Sequence, residues 1–253
     1  MNTAYKQLNQ PAGVPPLELT GERTLPDVPE ENYWFRRHLV VYEWIAKRVG
    51  GREVVDMACG EGYGADVLAS TARSVVGVEA NPETYEHARL RYLRSNLTFK
   101  RDLVEKYNSS CDVVVCLQTI EHLQKPDQVL VHFRDLLKPG GVLYLSTPNV
   151  RTLAPKGSQR SDNPWHLREY DVQEFRQLCE SVFNNVELIG LFHAKKLRWH
   201  EGALKLGWDK FHRRLGVTKS FYSRFVPAIC EGDFKLKHKN LDKALDFLAV
   251  CQK

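Results

Sequence analysis

The sequence predicts an α/β protein built on a doubly wound, mostly parallel sheet of seven strands. Three observations carry that expectation. Residues 54–64 read VVDMACGEGYG, a short apolar run ending in an acid and followed by a loop with Gly60, Gly62 and Gly64. Soon after, residues 74–79 read SVVGVE, a second run that also ends in an acid. A strand, a glycine loop, a helix and a second strand tipped by a carboxylate form the nucleoside-binding half of such a sheet. Beyond them, apolar runs and helical stretches keep alternating to about residue 193, which places helices on both faces.

The elements follow in order. Residues 1–32 are rich in proline and polar groups and are expected to form an extended arm, leaving 33–253 as one domain. Residues 33–49 carry Tyr33, Leu39 or Val40, and Trp44 near one helical face, and Gly50-Gly51 ends that helix. Strands are expected at 53–58, 74–79, 97–102, 111–116, 142–147 and 186–193. The fourth of these is apolar enough to be buried on both faces. Helices fall between them at about 64–72, 82–93 with Pro82 in the first turn, and 126–138. A long loop spans 148–170, and Asp171 caps a helix reaching about 181. An insertion at 195–238 follows the sixth strand. Its residues 195–215 read as one helix with Leu197, Leu204, Trp208, Phe211 and Leu215 on a stripe, stopped by Gly216. Residues 245–251 form the last strand.

Composition narrows the function classes. With 43% hydrophobic and 26% charged residues, the chain is an ordinary globular one. No apolar run approaches the roughly 20 residues of a membrane span. The first residues have no apolar core of the secretory kind, so a cytoplasmic location is expected. The six cysteines form no C-x-x-C pair, which argues against zinc. Net charge is +5, yet residues 191–253 hold 14 Lys/Arg against 6 Asp/Glu. That basic third faces an anionic acceptor, a nucleic acid or a membrane, or is simply a solvated surface. No oligomeric state follows from the sequence.

The glycine spacing is G-x-G-x-G rather than the G-x-G-x-x-G of a dinucleotide site. Asp56 and Glu61 also put carboxylates beside the loop, which suits a cationic ligand better than a pyrophosphate. With this string, the Glu79 strand, CLQTIEHL at 116–123 and LKPGGVL at 137–143, the chain resembles the class I S-adenosylmethionine (SAM) methyltransferases of the methyltransferase-11 type. GERTLPDVPEENYWFRRHLVVY, STPN and NPWHLREY are similar to actinobacterial members linked to glycans and methylated glucose polysaccharides. The ubiquinone-pathway O-methyltransferases share the Glu-His pair but are more distant. The resemblance implies SAM as cofactor. It implies cofactor contacts at Asp56, Gly60, Gly62, Gly64, Glu79, Ala80, Asp102, Leu103 and Gln118. On the helix that lids the cofactor in this family, His38 either meets the SAM carboxylate or packs the lid.

Methylating a sugar hydroxyl needs its proton removed, and histidine is the usual base near neutral pH. His122 follows the fourth strand and His166 lies in the long loop, so both reach the carboxyl edge of the sheet where ligands bind. His193, ending the sixth strand, is a third candidate. Glu121 is expected to orient a histidine or to bind a hydroxyl. Trp165 offers an apolar plate for a sugar face, and Arg168 and Glu169 either grip hydroxyls or pair with each other. Some metal-dependent relatives carry E-x-x-E-H where this chain has Q-x-x-E-H. The neutral Gln118 makes a magnesium ion at Glu121 and His122 admissible but not favoured. The expected reaction is methyl transfer to a hydroxyl of a small-molecule or oligosaccharide acceptor. Rival readings are a quinone precursor or natural product as acceptor, an RNA substrate, and a non-catalytic SAM-binding regulator. Against RNA, the chain carries no recognisable RNA-binding appendage.

Overall fold

The computed structural model describes residues 6–253 apart from 22, 156 and 159. Its sheet has eight strands in the order β3-β2-β1-β4-β5-β8-β6-β7. These are β1 (Glu53–Met57), β2 (Ser74–Glu79), β3 (Leu97–Arg101), β4 (Cys111–Leu117), β5 (Leu137–Pro148), β6 (Asn185–His193), β7 (Phe234–Lys237) and β8 (Asp246–Gln252). The expected seven-stranded sheet is thus corrected to eight. The extra strand, β7, is four residues long and pairs antiparallel with β6 at the sheet edge. The five strands β1 to β5 run parallel, and β8 inserts antiparallel between β5 and β6.

Helices cover both faces. One face packs α1 (Asn32–Ala46), α2 (Tyr63–Ala69) and Leu197 over a cluster that includes Ile45, Leu68, Val115 and Leu248. The other packs α4 (Pro126–Leu136) and α6 (Val172–Glu180) through Leu130, Phe133, Phe175 and Cys179. Between them in the chain lie α3 (Pro82–Arg91) and the single turn α5 (Val150–Leu153). Helix α3 starts at Asn81, whose side chain accepts from the N–H groups of Glu83 and Thr84, and Pro82 occupies its first position. Helix α6 starts on a reciprocal capping box of Asp171 and Glu174. Helix α4 meets β5 without a break, because its last residue Leu136 leads straight into Leu137.

Residues 195–215, expected as one helix, form two, α7 (Lys195–Lys205) and α8 (Trp208–Arg214), with α9 (Thr218–Phe225) following. Gly207 breaks the run by adopting φ 90°, a left-handed conformation open to glycine. The stripe is thereby split. Leu197 is buried, while Phe211 and Leu215 are exposed.

The arm doubles back on itself. Lys6 pairs with Glu18 in an isolated antiparallel bridge, and Leu17, Leu25 and Val28 form a small core of their own. Gln7 then reaches into the domain, where its amide donates to Glu61 Oε1 (2.9 Å).

Candidate active site

Because β1, β2, β4 and β5 run parallel, the loops leaving their carboxyl ends meet at one edge. The strand order reverses between β1 and β4, the switch point where such sheets open a crevice. A cavity of about 530 Å³ lies there. Two non-glycine residues just past strand ends take left-handed backbone, Ala58 (φ 54°) after β1 and Gln118 (φ 52°) after β4. Such conformations are uncommon outside glycine and concentrate at functional sites.

The three glycines have different work. Gly60 (φ 58°) lines the cavity, and a Cβ built on it would meet nothing within 4 Å, so its backbone is open to a ligand. Its N–H donates to Glu79 Oε2 (3.0 Å), while the Asn81 N–H donates to Oε1 (2.8 Å). The carboxylate at the tip of β2 is therefore oriented through both oxygens. Gly62 (φ 101°) faces inward, and a Cβ there would come within 2.9 Å of Ala88 and 3.0 Å of Tyr92. At Gly64 it would strike the Tyr42 ring at 2.2 Å. Gly62 and Gly64 thus permit α2 to pack; neither is on the cavity wall.

Asp56 and Glu61 do not present their charge to the cavity as the sequence suggested. Asp56 is buried beneath the loop, where Oδ1 accepts from the Tyr42 hydroxyl (3.2 Å) and Oδ2 has no hydrogen-bond partner among the described residues. Burial pushes its carboxyl up to about 8. The Glu61 carboxylate turns into the protein, taking Gln7, His87 Nε2 (3.0 Å), Arg91 (3.0 Å) and the Tyr92 hydroxyl (2.7 Å).

After β4 the left-handed turn at Gln118 leads into a 3-10 turn, Ile120–His122. Gln118 is fixed by its side-chain amide, which donates to Ser146 Oγ (3.0 Å). Glu121 is buried, and its Oε2 accepts from the Thr147 hydroxyl (3.1 Å). Burial drives its carboxyl up to about 8 against the hydrogen bonds it accepts. Its carbonyl receives the N–H groups of Leu167 and Arg168, which ties the long loop to this turn. His122 Nδ1–H donates to the Trp165 carbonyl (2.8 Å), which assigns the proton-accepting lone pair to Nε2. His166 lies beside it, ring centroids 5.1 Å apart. His166 Nδ1 donates to Glu169 Oε1 (2.7 Å), and its Nε2 accepts from the Asn163 amide (3.0 Å). Burial works to raise the Glu169 carboxyl, but hydrogen bonds from Ser161 and His166 outweigh it and hold it below its ordinary range. Glu121, His122 and His166 offer ligand-type atoms that all lie within 4.8 Å of one another.

Of the predicted residues, the cavity gathers His38, Gly60, Glu79 and Ala80 with Gln118, Glu121, His122 and His166. Asp102 and Leu103 lie off its wall, the former accepting the Leu103 N–H (2.8 Å). Glu169 pairs with His166 and Ser161 rather than with Arg168, whose guanidinium sits 5.0 Å over the Tyr170 ring. Trp165 contributes its carbonyl, and its ring is not on the wall. His193 is taken up by the Tyr33 hydroxyl (2.9 Å) and Glu201 (3.3 Å), away from the cavity.

Several wall residues were not foreseen. Gly21, Arg23 and Thr24 come from the arm; Glu31, Trp34 and Arg37 come from the start of α1 and the turn before it. Arg37 is buried, with Nε donating to Asp246 Oδ2 (2.7 Å) and its guanidinium 4.8 Å from the Trp34 ring. Burial opposes its charge, and Asp246 more than restores it. Burial pushes the Glu31 carboxyl up to about 7 and the His38 imidazole down to about 4. The signal available was the acid-aromatic string EENYW at 30–34, split by placing the arm boundary at residue 32.

The wall fits an adenosyl cofactor. Gly60 leaves space that a side chain would fill, and Glu79 holds two acceptor oxygens beside it. For a divalent ion, Glu121, His122 and His166 supply one carboxylate and two imidazoles.

Comparison with known proteins agrees with this geometry. A family model described as a methyltransferase domain matches residues 33–199. A probable S-adenosylmethionine-dependent methyltransferase of Mycolicibacterium smegmatis is 45% identical over 184 residues, covering 72% of this chain and 71% of the relative. One from Mycobacterium tuberculosis is 43% identical over 247 residues, covering 93% and 89%. Among solved structures, a SAM-dependent methyltransferase from Thermotoga maritima superposes with a TM-score of 0.60 at 16% identity, covering 88% of this chain and 95% of that one, a likeness of fold.

Proposed function

The chain belongs to the methyltransferase-domain family and is a SAM-dependent methyltransferase, and on that footing we propose that it methylates a hydroxyl oxygen of a sugar or glycan. The observation that carries the proposal is that the Glu121–His122–His166 cluster shares one cavity with Gly60 and Glu79. Bound SAM supplies an electrophilic methyl group on its sulfonium. Glu79 would accept from the ribose hydroxyls, and Gly60, beside which a Cβ would meet nothing among the described residues, would leave the backbone room to approach them.

His122 is the base. Its Nδ1–H bond to the Trp165 carbonyl fixes the tautomer, so Nε2 takes the acceptor's proton. His166 has a positioning role, because its Nε2 already accepts from Asn163. Glu121, neutral near pH 7 by virtue of its burial, donates or accepts a hydrogen bond at the acceptor without adding charge. Glu31, Asn163 and Gln118 offer further carboxyl and amide groups on the same wall, and Trp34 offers a ring. That mixture suits a hydroxyl-rich acceptor better than a flat quinone.

A second reading rests on the same cluster. The convergence of a carboxylate and two imidazoles favours a divalent cation held by Glu121, His122 and His166. Such an ion would acidify and orient a bound hydroxyl.

The test is transfer of labelled methyl from SAM to a panel of monosaccharides and oligosaccharides, run beside a panel of catechols and quinone precursors. Methylated sugars are expected. Methylated catechols with inert sugars would overturn the acceptor class while leaving the family intact.

A further inference from the structure

The three helices between β6 and β7 present two separate apolar sets. The inner set is aromatic and holds the helices together. His200 lies 4.5 Å from Phe225, Trp208 lies 5.7 Å from Phe221, and Phe221 lies 5.3 Å from Phe225, all between ring centroids. Leu197 joins this segment to the body of the domain and is buried. The outer set is exposed, and of it only Phe211 also touches the inner rings, stacking on Trp208 (5.6 Å between centroids). Trp199 is 80% exposed, Leu206 91%, Leu215 57% and Phe211 56%. Soluble surfaces tolerate single exposed apolar residues, but a group within one small structural unit marks a contact surface.

The charge around it is one-sided. Residues 195–225 hold nine Lys/Arg and two Asp/Glu. Both acids are already engaged within the segment, Glu201 with Lys205 (2.7 Å) and Asp209 with Arg213 (3.8 Å). Lys210, Arg213, Arg214, Lys219 and Arg224 are all exposed. Exposed tryptophan and leucine interleaved with lysine and arginine on short helices form the pattern of a surface that lies in a bilayer interface. A nucleic acid would match the charge but leave the leucines unused. A second copy of the chain would bring the same positive charge against itself.

We propose that the α7–α9 cap docks the protein on an anionic lipid surface, with Trp199 and Leu206 entering the headgroup region and the Lys/Arg residues meeting the lipid charge. The inference stands on this surface alone and is independent of the acceptor assigned above. Each basic residue near such a surface adds about 1 kcal/mol, and the apolar side chains add their burial.

The 253-residue chain is mixed with vesicles of phosphatidylcholine alone and with vesicles containing phosphatidylglycerol, and the bound fraction is read by co-sedimentation. The same is done for Trp199→Ser/Leu206→Ser and for Lys210→Glu/Arg213→Glu/Arg214→Glu. SAM affinity and thermal melting, measured on every variant, verify the fold, since all five positions are solvent-facing. Binding to the anionic vesicles alone is expected, weakened at least about tenfold by either variant and weakened by salt. Equal binding to both vesicles, binding to neither, or full binding by the Trp199/Leu206 variant would overturn the proposal. Preferential binding of an RNA or DNA duplex, or dimerisation lost in the Trp199/Leu206 variant without vesicle binding, would also overturn it.

Discussion

The glycine loop separates two kinds of failure. At Gly60, alanine adds a methyl that meets no other atom of the described residues within 4 Å. Its cost to the fold is the left-handed backbone alone, about 1–2 kcal/mol. At Gly62 the same methyl would sit 2.9 Å from Ala88 Cβ and 3.0 Å from Tyr92, where carbon contacts settle at about 3.5–4.0 Å. Overpacking of that kind costs about 1–3 kcal/mol on top of the backbone term. A chain of this size loses roughly 2–4 °C of melting temperature per kcal/mol. Gly62→Ala should therefore melt on the order of 10 °C below the wild type. Gly60→Ala should lose only a few degrees, yet its methyl enters the cavity beside the Glu79 carboxylate, so SAM affinity should fall at least about tenfold. Scanning calorimetry and titration calorimetry on the two variants read these quantities separately. Wild-type SAM affinity in Gly60→Ala, or a wild-type melt in Gly62→Ala, would refute the division of roles.

Other substitutions test the rest of the site. Glu79→Ala removes the oxygens that receive Gly60 and Asn81 and should weaken SAM binding at least about tenfold by calorimetry. His122→Ala should lower turnover by about 10²–10⁴-fold at unchanged SAM affinity. A fully active His122→Ala enzyme would place the base elsewhere. Glu121 is raised to about 8 when folded from an ordinary 4.5, so the folded state favours its neutral form. The stability it contributes is complete below about pH 4.5 and is lost as pH rises through about 8. Glu121→Gln should melt above the wild type at pH 8–9, roughly, and show a flatter dependence on pH; Asp56, raised in the same direction, leaves a residual slope. Activity lost to a chelator and restored by magnesium would favour the cation reading of Glu121, His122 and His166, whereas full activity in chelator would leave His122 acting without a metal.

Much of the fold is legible because it is written locally. The runs at 54–57 and 111–117 alternate with helical stretches, and the acid at the tip of β2 sits where the pattern places it. The wall residues His38, Gly60, Glu79, Glu121, His122 and His166 follow from strand ends, from one long loop and from the resemblance. What escaped depends on distant partners. Strand β7 is four residues at an edge, too short for alternation to distinguish it from the insertion around it. The break at Gly207 hides inside an apolar stripe that continues across it. Glu61 reads as a loop acid, and only folding brings Gln7, His87 and Arg91 onto it from elements remote in sequence. The same holds for Glu169, whose partner is chosen by the path of the loop rather than by its neighbour Arg168.

The placement of β8 governs the order in which this molecule can become competent. Residues 246–252 supply the hydrogen-bonded seam between β5 and β6, so before they emerge from the ribosome the antiparallel β6–β7 pair has no neighbouring strand. The first residue of that strand, Asp246, is also the carboxylate that fixes Arg37 on α1. Pairing of strands so distant in sequence is slow, and it comes last here. A nascent chain can assemble the glycine loop and Glu79 early, but the Arg37–Asp246 pair that ties α1 to the sheet forms only with the seam. Ligand affinity in a chain truncated before Asp246 thus reports how well α1 walls the cavity without that pair.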